Sequence, residues 1–198
     1  MEDFDADEYE VWKANRPTLT QERNHPNHWF NRGADLHASA GAIWYAMQHD
    51  GKQRIAVALG LGDGYSMGVA CRPVYHMTCG LALEVTMKAV LVQRGTSFEK
   101  THHLAGLVGL LGLTRTPEEL AVLDFYEHCI IWSGRYPTPR RATDDKLKGY
   151  WNLAGEVLTS PVPTPRKSKL KFRQASGTTD WERFSETWWS YASLFKHS

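Results

Sequence analysis

Apolar residues recur every three to four positions along most of the chain, in blocks that glycine, proline and polar residues separate. This spacing is typical of α-helices, whose side chains repeat every 3.6 residues. Blocks of this kind lie at about residues 25–49, 68–93, 104–113, 116–133, 144–158 and 179–195. The chain is therefore predicted to be all-α, an up-and-down bundle of about five or six helices.

The block at residues 68–93 is apolar on several faces, which predicts a central helix. It ends at Arg94, which a glycine follows, as in a cationic last turn with a C-cap. Thr101 is expected to cap the short helix that follows. Thr116 and Glu119 have the spacing of a capping box. These signals set the boundaries of the middle helices.

The segment between the first two long blocks, residues 52–67, is ambiguous. Residues 55–59 are apolar throughout and fit either a short strand or a helix. Residues 60–64 read GLGDG, but no lysine follows and no alternation of strands and helices surrounds them. A flexible loop is therefore favoured over a phosphate-binding cradle.

The remaining segments suggest a bundle with appendages. Residues 1–24 are acidic at their start and are expected to be mobile. Residues 25–160 form the predicted bundle, and 161–179 a proline-rich, basic linker. Residues 180–198 form a C-terminal helix with an aromatic stripe, expected to pack on the bundle or on a protein partner.

Composition narrows the class of protein. A net charge of +1 over 198 residues favours neither nucleic acid nor any other charged partner for the whole molecule. Three cysteines without a CxxC pair argue against a disulfide framework or a structural zinc site and favour a reducing cytoplasm. No signal peptide and no apolar run of about 18 residues is found, so a cytoplasmic protein without membrane contact is predicted. No metal or cofactor is expected.

A few polar residues could carry chemistry. Glu84 and Lys88 lie one turn apart on the central helix, and a solvent-facing pair is favoured over a buried pair that lines a cleft. His102 and His103 stand before a short helix, where packing, capping or solvation is favoured over a role as a neutral base. Arg135 ends a helix, either as a surface cation or as a phosphate clamp.

These residues belong to an ordered set of motifs. Residues 83–89 read LEVTMKA, residues 101–104 read THHL, and residues 135–137 read RYP. Their order and spacing resemble the HEPN family of small all-helical bundles, in which the second motif ends in aspartate-leucine and the third is followed by aspartate. The opening helix, with Trp29 followed by Ala34, Asp35, Leu36 and Ala38, is similar to the family's first helix, so the resemblance covers roughly Trp29 to Pro139.

The resemblance implies a cytoplasmic helical module that binds a nucleotide or an RNA phosphate, as a homodimer. The residues that it places at the binding site are Glu84, Lys88, His102, Arg135 and Tyr136. A non-catalytic module is favoured because the family's ribonuclease motif, arginine and histidine separated by four to six residues, is not found in a late helix.

Two alternatives stay open. The first is a metal-independent ribonuclease of a toxin or defence system, with His102 or His103 as general acid or base and Arg135 as phosphate clamp. The second is a structural adaptor that binds a protein through the aromatic C-terminal helix. An exposed stripe containing Trp181 and Trp188 would mark that adaptor.

Overall fold

The computed structural model describes residues 6–62, 64–99, 101–163 and 171–197, and these confirm the all-α prediction. The helices are α1 Ala6–Asn15, α2 Leu19–Arg23, α3 Pro26–Met47, α4 His49–Ala58, α5 Met67–Ala70, α6 Arg72–Gln93, α7 Leu104–Leu110, α8 Pro117–His128, a π-helix Cys129–Ser133, α9 Asp144–Leu158 and α10 Trp181–Ala192. Two short strands, β1 Thr159–Pro161 and β2 Arg173–Ala175, pair antiparallel.

The centre of the bundle is the pair α3 and α6, which run antiparallel. The start of α3 meets the chain beyond α6, where Trp29 packs edge-on against Phe98, and its end meets the start of α6. Midway, Gly33 faces Thr86 so closely that any side chain at position 33 would collide with it. Burial of α6 on several faces confirms that it is the central helix.

The second long block is interrupted near its start. The sequence predicts one helix from about residue 68, whereas α5 ends at Ala70 and α6 begins at Arg72. Pro73 occupies the first turn of α6, because its ring and its missing N–H group are tolerated only there. Residues 55–59, which fit a strand or a helix by pattern, lie mainly in α4.

Helix α8 packs antiparallel to α6 and continues directly into the π-helix. Its close approach depends on Gly80, where an added Cβ would lie 2.9 Å from Ile130 Cγ1 and 3.0 Å from the Tyr126 carbonyl oxygen. The Gly134 N–H donates to the Cys129 carbonyl oxygen, five residues earlier, at 3.1 Å. Widened turns of this kind often occur at functional sites.

The aromatic stripe of α10 packs on the bundle. Phe184, Trp188 and Tyr191 are buried, and the Trp188 indole N–H donates to Thr86 Oγ1 at 2.9 Å. His37 of α3 stacks on both Trp181 and Trp188, with ring centroids 4.8 and 4.2 Å apart. The exposed stripe that would mark an adaptor is not formed, because the bundle itself covers it.

The segments at either end of the bundle show two further features. The described N-terminal residues, expected to be mobile, form α1 and α2, and residues 7–25 are exposed throughout.

Most of the basic run, residues 166–170, lies outside the described residues. Arg173, at its end, donates to the carbonyl oxygens of Gly155 and Thr159 and thereby caps α9. No described helix is long and apolar enough to cross a membrane.

Candidate functional site

Three predicted site residues meet in one buried network. Lys88 Nζ donates to Glu84 Oε1 at 2.6 Å, and His102 Nδ1 lies 2.8 Å from Glu84 Oε2. The Glu84 and Lys88 side chains are only 6% and 8% exposed, whereas that of His102 is 48% exposed. The favoured solvent-facing pair is therefore wrong: α6 is covered on this side by the loop that precedes α7.

This network joins the loop to the central helix. Lys88 Nζ also donates to the Thr101 carbonyl oxygen at 2.9 Å and lies 5.5 Å from the centre of the Phe98 ring. Both carboxylate oxygens of Glu84 and the Lys88 ammonium group are therefore occupied within the protein. Buried charges are tolerated when they are paired and hydrogen-bonded in this way. The arrangement stabilises the loop and leaves these two charges engaged.

The start of α7 at Leu104 confirms the predicted block, but the predicted cap is wrong. Thr101 does not cap the helix, since α7 begins at Leu104, after His103. The Leu104 N–H instead donates to Glu127 Oε2 of α8 at 3.1 Å, so a carboxylate from another helix satisfies the terminal amide. His103 is exposed and packs its ring against Gly106, where a Cβ would lie 2.8 Å from the imidazole Nδ1. His103 therefore lies outside the buried network.

Arg135 lies elsewhere. Its Nη2 atom donates to the carbonyl oxygens of Ile130 and Ile131 at 2.9 and 2.7 Å, and its guanidinium lies 5.4 Å from the Tyr136 ring centre. The preceding residue, Gly134, packs against Met77, seven residues before Glu84 on α6. At 1.5 Å per residue, about 10 Å of helix separates the two levels. The predicted residues therefore do not share one cleft.

Tyr136 lines a pocket that sequence reasoning did not find. This pocket, called the aromatic pocket below, has a volume of about 650 Å³ and lies between α5, the start of α6, the π-helix and α9. Its lining residues are Met47, Ser66, Gly68, Val69, Arg72, Pro73, His76, Phe125, Cys129, Trp132, Ser133, Tyr136, Pro137, Tyr150, Trp151 and Leu158. Its volume falls within the range of small-molecule sites.

Aromatic rings form much of the wall of the aromatic pocket. Tyr150 packs edge-on against Trp132, with centroids 4.8 Å apart, and contacts Trp151 at 5.4 Å. Trp132 is buried, whereas Tyr136 and Trp151 are 57% and 65% exposed. The π-helical turn supplies Trp132 to the wall of the pocket, and α9 supplies Trp151. Exposed aromatic rings beside a pocket are available for stacking on a planar ligand.

The pocket has a charged rim and a neutral floor. Arg72 is exposed, and the structure gives its two Nη atoms no hydrogen bond to a described residue. His76, one turn further along α6, is buried and shares a hydrogen bond of 3.3 Å with Thr179 Oγ1. Burial, and secondarily the Arg72 charge, lowers the pKa of His76 to about 4. The imidazole is therefore neutral near pH 7.

Burial also makes the Cys129 thiol, which lines the aromatic pocket, unreactive. Burial raises the pKa of Cys129 to about 12. The thiolate is the nucleophilic form of cysteine, so this residue acts as a small apolar group. Across the described residues, no group of three or more histidine, cysteine, aspartate or glutamate side chains could hold a metal ion.

Of the pocket-lining residues, the sequence analysis named only Tyr136 as a binding residue. Arg72 and His76 have the i,i+4 spacing that places two side chains on one helix face, and this signal was available. The contributions of Trp132 and Trp151 depend on how α9 packs against the π-helix. Nothing in the local pattern shows that packing.

In the part of the chain that the structure describes, fold and site define an all-α helical bundle that has an aromatic, cation-rimmed pocket. Comparison with known proteins adds no relative: no family model, no curated protein and no solved structure matches the chain. The resemblance to the HEPN family therefore rests on the sequence motifs alone.

Proposed function

We propose that this protein is a HEPN-like helical module that binds a nucleotide in the aromatic pocket. The observation that carries the proposal is the combination of aromatic walls with a guanidinium at the rim. A nucleotide has the matching parts, a planar base and an anionic phosphate. Catalysis is not part of the proposal.

The aromatic walls suit a nucleobase. Base stacking on an aromatic side chain contributes about 1–3 kcal/mol per base, and every base offers a π-face for it. Trp151 and Tyr136 present exposed rings, while Trp132 and Tyr150 are held by their mutual edge-on contact. Rings held in place in this way lose little side-chain entropy when a ligand binds.

Arg72 suits the phosphate. A guanidinium presents paired N–H donors that match phosphate oxygens, and such charge-assisted hydrogen bonds are stronger than neutral ones. Arg72 also begins α6, whose N-terminal end carries a partial positive charge. In this proposal Arg72 takes the role of phosphate clamp that the resemblance implies for Arg135, and Tyr136 keeps its predicted place in the site.

A free nucleotide is favoured over an RNA strand. Proteins that hold single strands combine stacking residues with a positively charged groove that follows the backbone. Of the described residues that line the aromatic pocket, Arg72 is the one with a formal charge. One guanidinium matches one phosphate group better than a run of them.

The two alternatives from the sequence have less support. A ribonuclease would need His102 and Arg135 at one phosphate, yet Arg135 donates to its own helix end and His102 pairs with Glu84. Two arginine–histidine pairs with the ribonuclease spacing occur elsewhere: Arg23 to His28, which precedes the predicted bundle motifs, and Arg32 to His37, whose histidine stacks on two tryptophan rings. An adaptor would need the aromatic face of α10, which the core occupies. The homodimer and the cytoplasmic location stay predictions.

A second pocket is a weaker candidate. It has a volume of about 350 Å³ and lies between α8 and α10. Its arginines already have carboxylate neighbours, with Arg115 3.3 Å from Glu119 and Arg183 3.4 Å from Glu186. These pairs leave less net positive charge for a phosphate than Arg72 does.

Isothermal titration calorimetry with AMP tests the proposal. We expect a dissociation constant below millimolar for the wild type and a loss of about 5- to 150-fold for Trp151→Ala, the range that corresponds to one stacking contact. Trp189→Ala is the matched control, because Trp189 is 58% exposed on α10 and lies outside the pocket lining. Binding no tighter than millimolar for AMP, GMP, CMP and UMP would contradict the proposal.

A further inference from the structure

The charges of the aromatic pocket are unusually few for a nucleotide site. Among its described lining residues there is one guanidinium and no carboxylate. The His76 imidazole, the Cys129 thiol and the Tyr150 phenol, whose pKa values burial shifts away from 7, are neutral near pH 7. The charge of the ligand should match this distribution.

From this distribution we infer that the site, if it binds nucleotides as proposed above, takes a nucleoside monophosphate and recognises it through a single phosphate group. The phosphate binds Arg72 at the rim, and the base enters between Trp132, Tyr150 and Trp151. Additional phosphate groups contribute no affinity.

The direction of entry follows from burial. The floor of the pocket contains Phe125 and Cys129, which are 1% and 2% exposed, and His76 at 6%. A phosphate placed against such a floor would lose its hydration without a compensating cation. At the rim, the Arg72 guanidinium binds the phosphate, and the phosphate stays accessible to water. The planar base therefore belongs inside and the phosphate outside.

The lining chemistry also disfavours a polyphosphate. Sites for di- and triphosphates commonly hold Mg²⁺ through one or two carboxylates together with the phosphate oxygens. The lining contains neither aspartate nor glutamate, and Arg72 can engage only part of a polyphosphate chain. The β- and γ-phosphates would then lie in solvent, where they add charge without adding partners.

A nucleoside without phosphate lacks the other half of the interaction. Arg72 has no described partner for its Nη atoms and a single contact from Nε, at 3.5 Å, to the Gly68 carbonyl oxygen. A hydrogen bond of that length is at the limit of the usual range. The guanidinium is therefore free to bind an anion, and adenosine offers it none.

The test is a calorimetric series of adenosine, AMP, ADP and ATP, each with and without Mg²⁺, against wild type, Arg72→Met and Arg72→Lys. For the wild type we expect AMP to bind at least tenfold more tightly than adenosine, and ADP and ATP to bind no more tightly than AMP. Arg72→Met should reduce AMP binding to the level of adenosine and leave adenosine unchanged. Arg72→Lys should fall between the two, because it keeps the charge and loses the planar fork.

The matched control is Arg183→Met, an exposed arginine on α10 outside the aromatic pocket, which should bind AMP as the wild type does. ATP that binds more than threefold tighter than AMP, or adenosine that binds as tightly as AMP, would overturn the inference and leave nucleotide binding itself intact. Failure of every compound to bind would overturn the proposed function as well. Thermal denaturation of each variant checks folding, and the Arg72 variants should unfold at the wild-type temperature because Arg72 is exposed.

Discussion

Lys88 Nζ lies 2.6 Å from Glu84 Oε1, one turn apart on the central helix, and both side chains are almost completely buried. An ion pair in such a place costs desolvation energy, which its attraction and its further hydrogen bonds offset. Here the further partners are His102 and the Thr101 carbonyl oxygen, both on the loop before α7. The pair therefore fixes the loop before α7 onto the central helix α6.

Removal of either partner should destabilise the protein strongly. Lys88→Met leaves the Glu84 carboxylate buried without its cation, and Glu84→Gln leaves the ammonium group without its anion. A broken buried pair costs about 3–5 kcal/mol. Urea denaturation, with the free energy of unfolding extrapolated to water, measures the loss.

Two controls define the result. Lys13→Met removes an exposed cation that lies 3.8 Å from Glu10, and it should change the free energy of unfolding by less than about 0.5 kcal/mol. The double variant Glu84→Leu with Lys88→Met removes both charges and should recover part of the single-variant loss. Single variants within about 0.5 kcal/mol of the wild type would show that the pair is solvated.

Stability should fall when the pH is lowered from about 6.5 to about 4, through His76. Its pKa is about 4 in the folded state and 6.5 in an unfolded chain. In this window the unfolded state binds more protons, so acid favours unfolding. The contribution of the neutral His76 is complete above pH 6.5 and is lost as the pH falls to 4, at a cost on the order of 3 kcal/mol.

The His76 effect is separable from those of other groups by comparison with His76→Gln, which does not titrate and can still bond Thr179. The variant should show a shallower loss of stability between pH 6.5 and 4 than the wild type does. His103→Gln, on an exposed position, is the matched control and should keep the wild-type slope. Equal slopes for wild type and His76→Gln would contradict the assignment of this window to His76.

Gly33→Ala should destabilise the bundle by about 1–3 kcal/mol, the usual cost of overpacking a core. A Cβ at this position collides with Thr86 Oγ1, which also accepts the Trp188 N–H. Gly149→Ala on α9 is the control. A Cβ at Gly149 meets no atom within 4 Å, so alanine should stabilise by about 0.5–1 kcal/mol through its higher helix propensity. Thermal denaturation of the pair distinguishes the two signs directly.

Arg135→Ala should affect stability and leave nucleotide binding unchanged. The guanidinium donates to the Ile130 and Ile131 carbonyl oxygens, so its removal should cost about 1 kcal/mol at the end of the π-helix. AMP affinity should stay within twofold of the wild type, measured by calorimetry on the folded variant. A tenfold loss of affinity would return Arg135 to the role of phosphate clamp that the HEPN resemblance implies.

Much of the fold follows from local pattern. The capping box of Thr116 and Glu119, with Pro117 in the first turn, marks the start of α8 correctly because those interactions lie within a few residues. The apolar faces of α6 likewise predict its central place. The break at Cys71 was missed. The group that completes the start of α7 was also missed, because the Glu127 carboxylate that accepts from the Leu104 N–H belongs to another helix.

The candidate site is less accessible to sequence reasoning. Glu84 and Lys88 look like a surface pair until Phe98, Thr101 and His102 are known to lie against them. The aromatic pocket depends on the packing of Trp132 against Tyr150 across two helices, a relation between positions 18 residues apart in a sequence that gives no sign of it. Motif order led to Tyr136, and only the packing connects it to Arg72.

The most direct test of the central claim, nucleotide binding in the aromatic pocket, is a ¹H–¹⁵N NMR titration of the tryptophan indole groups with AMP. Tryptophan-to-phenylalanine variants assign the resonances. Binding in the aromatic pocket predicts that the Trp132 and Trp151 indole signals shift along one saturable curve, while those of Trp29 and Trp188, which lie outside its lining, stay in place. Unchanged Trp132 and Trp151 signals at millimolar AMP would contradict the account.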